Sequence, residues 1–154
     1  MQLVDTHTHL YLDQFNNDLE LVMQRAFEIG VEKFIFPAID SSYSKKMLDI
    51  KNKYPDNIFL MSGLHPVYVK ENYKEELEKV SLSLKNHKFI AIGEIGIDLY
   101  WDKTFLKQQQ DAFEYQIRLA IANDLPIVIH SRKSFDQIFE ILENENCKKL
   151  RGVF

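Results

Sequence analysis

The sequence predicts an α/β fold of the (β/α)8 TIM-barrel type, incomplete in this chain, which holds about five and a half strand–helix units. Short apolar runs recur roughly every thirty residues, and amphipathic helical patterns separate them. The first run continues into Asp5-Thr6-His7-Thr8-His9 and not into the glycine-rich loop that is usual in a doubly wound sheet. Polar residues follow the apolar runs, where a barrel has its active site.

The apolar runs are rich in β-branched and aromatic residues and do not alternate with polar ones. This pattern is typical of parallel strands that are buried on both faces. The predicted strands comprise residues 3–4, 34–36, 58–61, 89–92, 127–129 and 153–154.

Helical periodicity fills the intervals between the strands. Apolar residues keep to one helical face over residues 19–26, 73–84, 113–121 and 135–142, and Gly30 stands where the first helix would have its C-cap. A weaker helix is predicted over residues 42–53, with Ser41 or Ser42 as its N-cap and Pro55 beyond its end. No linker interrupts the pattern, so residues 1–154 are predicted to form a single domain.

Composition and charge exclude some classes of protein. A net charge of −4 and a sequence pI of about 5.7 are unlike those of a protein that binds nucleic acid with its whole surface. The single cysteine, Cys147, is expected to be a free thiol. No signal peptide and no membrane-spanning run are recognised, so a cytoplasmic location is expected.

His7 and His9 follow the first predicted strand with one residue between them. Because successive strand residues point to opposite faces, both imidazoles share a face with Asp5. Two histidines at a buried strand end form half of a metal site, and Asp5 could orient one of them or cap the strand end. Taken alone, the pattern fits two surface histidines in a loop equally well.

Glu94 and His130 end two further apolar runs. A carboxylate at a buried strand end is costly unless it is paired, protonated or bound to metal, and Gly93 and Gly96 permit close backbone approach. A salt bridge for Glu94 and a hydrogen-bonded core position for His130 are the structural alternatives. Four potential ligands at strand ends together favour a metal site, whose predicted ligands are His7, His9, Glu94 and His130.

The predicted ligand set mixes imidazole nitrogen with carboxylate oxygen. Such a set suits zinc or manganese, whereas magnesium fits it less well. A single carboxylate among several histidines is suited to bridging two ions, so one or two divalent metal ions are expected. Two-ion sites activate water and bind the oxygens of a displaced group.

Three further polar residues lie close after strand ends, namely His65, Asp98 and Arg132. For a phosphate-containing substrate, Arg132 is a bidentate partner and His65 a hydrogen-bond donor, whereas loop hydrogen bonds and an exposed salt bridge are the structural alternatives. Aromatic residues near the same end could stack on bases, but more often pack as loops over a barrel mouth. They are Tyr11, Phe15, Tyr100 and Trp101.

Four segments resemble the motifs of the TatD family, which are metal-dependent deoxyribonucleases of the amidohydrolase superfamily. They are residues 4–10 (VDTHTHL), 63–66 (GLHP), 93–98 (GEIGID) and 126–132 (PIVIHSR). The segments follow the family's order and cover the whole chain at compatible spacings.

The resemblance implies a barrel with a one- or two-metal site that hydrolyses phosphodiester bonds in DNA. By matching position, His7, His9 and His130 would be metal ligands. Glu94 would be the carboxylate that bridges the metals and serves catalysis. The matching positions that would line the active site and bind substrate are His65, Asp98 and Arg132.

The chain departs from the family's pattern at its end. A complete barrel of this kind takes about 250 residues. The family's next metal-binding histidine and a later aspartate, which binds metal and helps to activate water, have no counterpart up to Phe154. We expect either a fragment, whose missing barrel half the rest of a longer chain supplies, or a truncated gene product. Exposed edges at the first and last strands would make the isolated chain unstable or oligomeric.

Two other functions remain open at this point. The first is another amidohydrolase-type enzyme that acts on a small ester, amide or phosphoester, although many of those carry a modified lysine where Glu94 stands. The second is a non-catalytic remnant that keeps metal ligands but has lost the chemistry. A comparison of DNA cleavage with cleavage of small esters would separate the enzymatic alternatives.

Overall fold

A computed structural model describes residues 2–144 and 150–154 of the chain, and Cys147 lies outside these residues. The described residues contain one parallel sheet of six strands. The strands are β1 (Leu3–Asp5), β2 (Val31–Phe36), β3 (Ile58–Ser62), β4 (Ala91–Asp98), β5 (Ile127–Arg132) and β6 (Gly152–Val153).

A helix follows each of the first five strands. The helices are α1 (Leu19–Glu28), α2 (Ser44–Lys53), α3 (Tyr73–Asn86), α4 (Leu106–Ala122) and α5 (Phe135–Asn144). Short 3-10 turns at Asp13–Phe15, Ser41–Tyr43 and Pro66–Tyr68 lie in the loops that leave β1, β2 and β3. Gly30 follows α1 with a φ of 90°, as its predicted place at the C-cap requires.

The order of the strands in the sheet distinguishes the two α/β architectures. Each strand pairs with its neighbours in the sequence, so the sheet runs from β1 to β6 in chain order. A doubly wound sheet would instead reverse direction near its middle. The curled sheet with its alternating helices confirms the predicted barrel-type fold, and it brings the carboxyl ends of neighbouring strands to one rim.

β4 is longer than the sequence predicts. The apolar pattern predicts a strand over residues 89–92, whereas β4 continues to Asp98, and all eight of its residues are buried. The prediction stopped too early because it treated Glu94 and the adjoining glycines as the end of the strand. Gly96 adopts a φ of 142°, and a Cβ atom there would lie 2.1 Å from the backbone oxygen of His130. Its missing side chain therefore lets β4 lie directly against β5.

The start of α2 also differs from the prediction. Neither Ser41 nor Ser42 is the N-cap of this helix, since both lie in a 3-10 turn before Ser44. The Asp40 carboxylate instead accepts a hydrogen bond of 2.8 Å from the backbone N–H of Ser42. A carboxylate satisfies a free N–H at such a position as well as a serine hydroxyl does.

The hydrophobic core lies between the sheet and the helices. Phe113 and Ile117 of α4 are fully buried against β4 and β5, together with Ile95 and Ile127. This packing holds the two strands that carry Glu94 and His130. Among the described residues, no helix is both long enough and apolar enough to cross a membrane.

Removal of the Phe113 ring tests how far the core stabilises this part of the sheet. We expect Phe113→Ala to lower the free energy of unfolding by about 3–5 kcal/mol, because it leaves a cavity beneath β4. Phe139 of α5 is half exposed, so Phe139→Ala is a matched control with an expected loss of about 0.5 kcal/mol or less. Urea denaturation measures both variants, and equal losses would contradict this view of the core.

Candidate metal centre

Side chains from the ends of β1, β3 and β5 converge on Glu94 of β4. His7 and His9 lie in the loop just after β1, His65 follows β3, Glu94 belongs to β4, and His130 belongs to β5. The structure therefore brings together all four predicted metal ligands and also His65. The two histidines of the first motif lie beyond the strand and not on it, because β1 ends at Asp5, whose carboxylate accepts a hydrogen bond from the His7 backbone N–H.

The backbone at Glu94 is hydrogen-bonded to a residue just beyond β2, although β2 does not pair with β4 in the sheet. Its N–H donates to the carbonyl oxygen of Ala38, just beyond β2, at 3.2 Å, and the N–H of Ala38 donates to the carbonyl of Gly93 at 2.9 Å. Both bonds are made by the Gly93–Glu94 peptide group, so they fix the backbone immediately before the Cα atom that carries the carboxylate.

The two carboxylate oxygens of Glu94 face different pairs of histidines. Oε2 lies 3.0 Å from Nε2 of His7 and 3.9 Å from Nε2 of His9. Oε1 lies 2.9 Å from Nδ1 of His130 and 3.7 Å from Nε2 of His65. The cluster thus divides into two halves that share one carboxylate.

Glu94 is only 9% exposed, and its electrostatic surroundings are correspondingly strong. Burial by itself raises the pKa of this carboxyl group, but hydrogen bonds with His130 and His7 outweigh burial and hold the pKa below its ordinary value. The hydrogen bond with Glu94 in turn raises the pKa of His7. Burial lowers the pKa of His130, and its bonds to Glu94 and Asp98 raise it overall. The carboxylate therefore carries its negative charge and attracts cations.

The tautomer of His9 is fixed from behind by Tyr11. The Tyr11 hydroxyl donates to the carbonyl oxygen of Pro37 at 2.5 Å, so it is an acceptor toward His9 Nδ1, which lies at 2.7 Å. The proton of a neutral His9 must then lie on Nδ1, and its lone pair lies on Nε2. Burial lowers the pKa of His9 and favours this neutral form. His9 consequently presents a ligand nitrogen to the side of Glu94.

His130 has a comparable arrangement with a carboxylate behind it. Its Nε2 lies 2.9 Å from Oδ2 of Asp98, a residue that is only 2% exposed. Burial raises the pKa of Asp98, but hydrogen bonds from the Tyr100 backbone and from His130 lower it overall. An ionised Asp98 makes Nε2 of His130 the protonated nitrogen, so the lone pair of neutral His130 lies on Nδ1 and points to Glu94.

His65 is oriented in the opposite sense. Its Nδ1 accepts a hydrogen bond of 3.2 Å from the Val67 backbone N–H, so the proton of the neutral ring lies on Nε2. Burial lowers the pKa of His65 to about 4, which keeps the ring neutral near pH 7. His65 therefore directs an N–H, and not a lone pair, toward Glu94 and toward His130 Nδ1 at 3.2 Å.

The arrangement calls for cations between Glu94 and its partners. Neutral His9 and His130 direct lone pairs toward the carboxylate, and two acceptors that face each other repel unless a proton or a metal ion lies between them. The donors are imidazole nitrogen and carboxylate oxygen, a set that suits a borderline divalent ion. In each half, one nitrogen or oxygen atom of every residue lies within 4.8 Å of the others. The first half comprises His7, His9 and Glu94, and the second comprises His65, Glu94 and His130.

The other predicted residues lie beside this cluster. Asp98 is buried behind His130, which gives it a positioning role that sequence reasoning missed. Arg132 is exposed, and its guanidinium carbon lies 3.8 Å from the centre of the Tyr100 ring. Tyr11 is completely buried and bonded to His9, and does not pack as a surface loop. The substrate-binding roles of His65, Asp98 and Arg132 stay predictions.

Comparison with known proteins places this geometry in context. The family model described as TatD related DNase matches residues 4–154. YabD of Bacillus subtilis strain 168, named as an uncharacterized metal-dependent hydrolase, is 34% identical over 151 residues, which make up 98% of this chain and 59% of YabD. A protein named 3'-5' ssDNA/RNA exonuclease TatD from Erwinia tasmaniensis is 28% identical over 141 residues, which cover 92% of this chain and 54% of that protein.

A solved structure extends the comparison to the fold. The crystal structure of YjjV, a TatD homolog from Escherichia coli K12, matches with a TM-score of 0.84 at 32% identity, and the match covers 93% of this chain and 56% of YjjV. The chain thus spans between half and three fifths of the length of the relatives it matches.

Tyr11 can be tested through metal binding. We expect Tyr11→Phe to raise the dissociation constant for Zn²⁺ or Mn²⁺ about 10- to 100-fold, because Nδ1 of His9 loses its acceptor and the ring its fixed orientation. Nitrogen NMR shifts of His9 in the metal-free protein should show the loss of the Nδ1–H tautomer. Tyr54→Phe removes a hydroxyl far from Glu94 and should change neither quantity. An unchanged dissociation constant and tautomer in Tyr11→Phe would exclude this role.

Gly96 offers a second test, of the backbone and not of a ligand. We expect Gly96→Ala to lower the free energy of unfolding by about 1–3 kcal/mol or more, because the added Cβ meets the His130 carbonyl at 2.1 Å. Metal affinity should fall as well, since the displaced backbone carries a ligand. Gly30→Ala shares the strain of a positive φ but should leave metal affinity unchanged. Denaturation and metal titration of both variants distinguish local strain from damage to the site.

Proposed function

The chain belongs to the TatD-related DNase family, and from that premise we propose that it carries most of the active site of a divalent-metal-dependent hydrolase that cleaves phosphodiester bonds in DNA. The names of the relatives support the two parts of this proposal separately. YabD is named as a metal-dependent hydrolase, and the Erwinia protein as an exonuclease on single-stranded DNA and RNA.

The observation that carries the proposal is the division of the cluster about Glu94. One oxygen faces His7 and His9, and the other faces His130 and His65. A carboxylate that presents each oxygen to a separate set of imidazoles is suited to bridging two ions. We therefore propose His7, His9, Glu94 and His130 as metal ligands, with zinc or manganese favoured over magnesium by the nitrogen-rich set.

Divalent ions at such a site acidify a bound water and neutralise charge on the phosphate. The protein's own residues orient the proposed ligands and supply negative charge. Tyr11 and Asp98 keep the rings of His9 and His130 in the tautomers that expose a lone pair. Glu94, ionised and buried, provides the shared negative charge.

His65 and Arg132 are proposed to bind the phosphate. The Nε2–H of His65 is directed into the cluster because Val67 occupies its other nitrogen. A neutral donor there can bond a phosphate oxygen without competing for the metal. Arg132 lies next to Ser131 and His130 on β5. Its guanidinium is exposed and lies with its carbon over the Tyr100 ring, so its N–H groups can meet a second phosphate oxygen in the bidentate geometry that suits arginine.

The proposal predicts that cleavage depends on metal and on Glu94. The protein is purified at the length that its gene encodes, its mass is recorded, and a labelled single-stranded oligonucleotide is incubated with it and Mn²⁺ or Zn²⁺. We expect EDTA to stop cleavage and added metal to restore it. Glu94→Gln should weaken metal binding more than about 100-fold, because a neutral amide with one oxygen replaces the shared carboxylate, whereas loss of a supporting residue costs about 10- to 100-fold.

Glu76 provides a matched control for this substitution. It is a buried glutamate on α3 that pairs with Lys79 and Ser41 and not with the cluster. Glu76→Gln should keep both metal binding and cleavage. The proposal fails if the natural-length protein cleaves equally with and without chelator, if it cleaves nothing at any added metal, or if Glu94→Gln retains the metal.

A further inference from the structure

Two exposed aromatic side chains follow β4 beside the metal cluster. Trp101 is 70% exposed and Tyr100 is 46% exposed, and their rings meet edge to face with centroids 4.8 Å apart. Large aromatic rings are usually buried because their exposure forgoes hydrophobic stabilisation. These two rings do not close over the barrel mouth as a packed loop would, so their exposure needs another explanation.

Two cations lie against the same rings. The guanidinium of Arg132 lies 3.8 Å from the Tyr100 centroid and 5.2 Å from that of Trp101, and the ammonium of Lys133 lies 5.1 Å from Tyr100. Both cations come from the end of β5 and the loop that follows it. Aromatic faces interleaved with positive charge are the features with which proteins bind single-stranded nucleic acid.

The aromatic pair is tied to the metal cluster through Asp98. One oxygen of this carboxylate accepts from the Tyr100 backbone N–H at 2.9 Å, and the other lies 2.9 Å from His130 Nε2. On the β5 side, the Leu99 backbone N–H donates to the Arg132 carbonyl at 2.9 Å. The rings and the cluster therefore have a fixed spatial relation.

The geometry also indicates how a base would be held. The cleft between Trp101, Lys70 and Phe105 has a volume of about 50 Å³, room for a few waters. We expect a base to stack on the open face of a ring and not to enter this cleft. Arg132 already covers Tyr100 at stacking distance, so the indole of Trp101 offers the open face.

We propose that Tyr100, Trp101, Arg132 and Lys133 form a subsite that stacks one unpaired nucleobase of a single-stranded polynucleotide next to the metal cluster. Trp101 carries the base, Tyr100 holds Trp101 and Arg132 in place, and the two cations bind the flanking phosphates. Duplex DNA fits poorly, because its bases have no free faces except at the ends. This inference rests on the proposed nuclease function, to which it adds the residues that hold an unpaired base.

Trp101 is the only tryptophan of the 154 residues, and subtraction of the emission of a Trp101→Phe variant isolates its signal from that of any tryptophan elsewhere in the natural-length protein. The natural-length protein is titrated with the oligonucleotide dT8 in EDTA, which removes catalysis from the measurement. We expect the solvated emission of free Trp101 to be quenched by dT8. An oligomer of the same length and charge built from abasic tetrahydrofuran units should quench it much less. A parallel titration with rU8 shows whether the subsite accepts bases on DNA, on RNA or on both.

Variants measured by anisotropy of labelled dT8 complete the test. Trp101→Ala should weaken binding at least about fivefold and remove the preference for dT8 over the abasic oligomer. Phe139→Ala, a half-exposed aromatic on α5, should change neither. The inference is overturned if free Trp101 already shows buried emission, if dT8 and the abasic oligomer bind equally, or if Trp101→Ala binds dT8 as the unmodified protein does.

Cleavage of a small chromogenic phosphodiester separates this inference from the proposed function. This substrate carries no base to stack, so its metal-dependent cleavage by the unmodified protein tests the proposed function without the subsite. Such cleavage together with unchanged dT8 binding by Trp101→Ala refutes the subsite and leaves the proposed function standing. Absence of metal-dependent cleavage from the unmodified protein refutes the proposed function itself, whatever dT8 does.

Discussion

Burial of an ionised carboxylate costs several kcal/mol unless charge and hydrogen bonds offset it, and this constraint governs the arrangement around Glu94. The residue sits on the longest strand of the sheet, held by backbone bonds to Ala38 on the β2 side. Within the described residues, its side chain meets four imidazoles and no lysine or arginine. A metal ion can displace the proton of an imidazolium ring, whereas a lysine or arginine would have neutralised Glu94 permanently and left no place for a metal ion.

Three of these four imidazoles are themselves held from behind, each by a group of different chemistry. The hydroxyl of Tyr11, which donates its own proton to Pro37, accepts from His9. The carboxylate of Asp98 accepts from His130, and the backbone N–H of Val67 donates to His65. Whether the group behind the ring accepts or donates a hydrogen bond decides the role of the ring. An acceptor behind a histidine directs a lone pair toward Glu94, whereas a donor behind it directs an N–H there. Two apparently similar neighbours, His65 and His130, are thereby assigned to different tasks.

Sequence patterns predict the rim of the site better than its supports. His7, Glu94 and His130 stand out because each follows an apolar run, and strand ends of a parallel barrel meet at one rim whatever the details of the loops. The role of Tyr11 depends on the carbonyl of Pro37, 26 residues away, and no local pattern encodes that contact. The extent of β4 was likewise misjudged, because Gly96 resembles a strand terminator until the close approach of His130 is known.

Asp98 connects the chemistry of the cluster with the surface around it. Its two oxygens are engaged on opposite sides, one with the imidazole of His130 and the other with the backbone of Tyr100. A carboxylate that is 2% exposed and engaged on both sides cannot move toward one partner without leaving the other. The position of the exposed rings is therefore set by the same residue that orients His130, a proposed metal ligand. A base stacked on Trp101 would be placed at a fixed distance from the cluster. A nuclease needs such a fixed distance, because it must hold the neighbouring phosphodiester in position for cleavage.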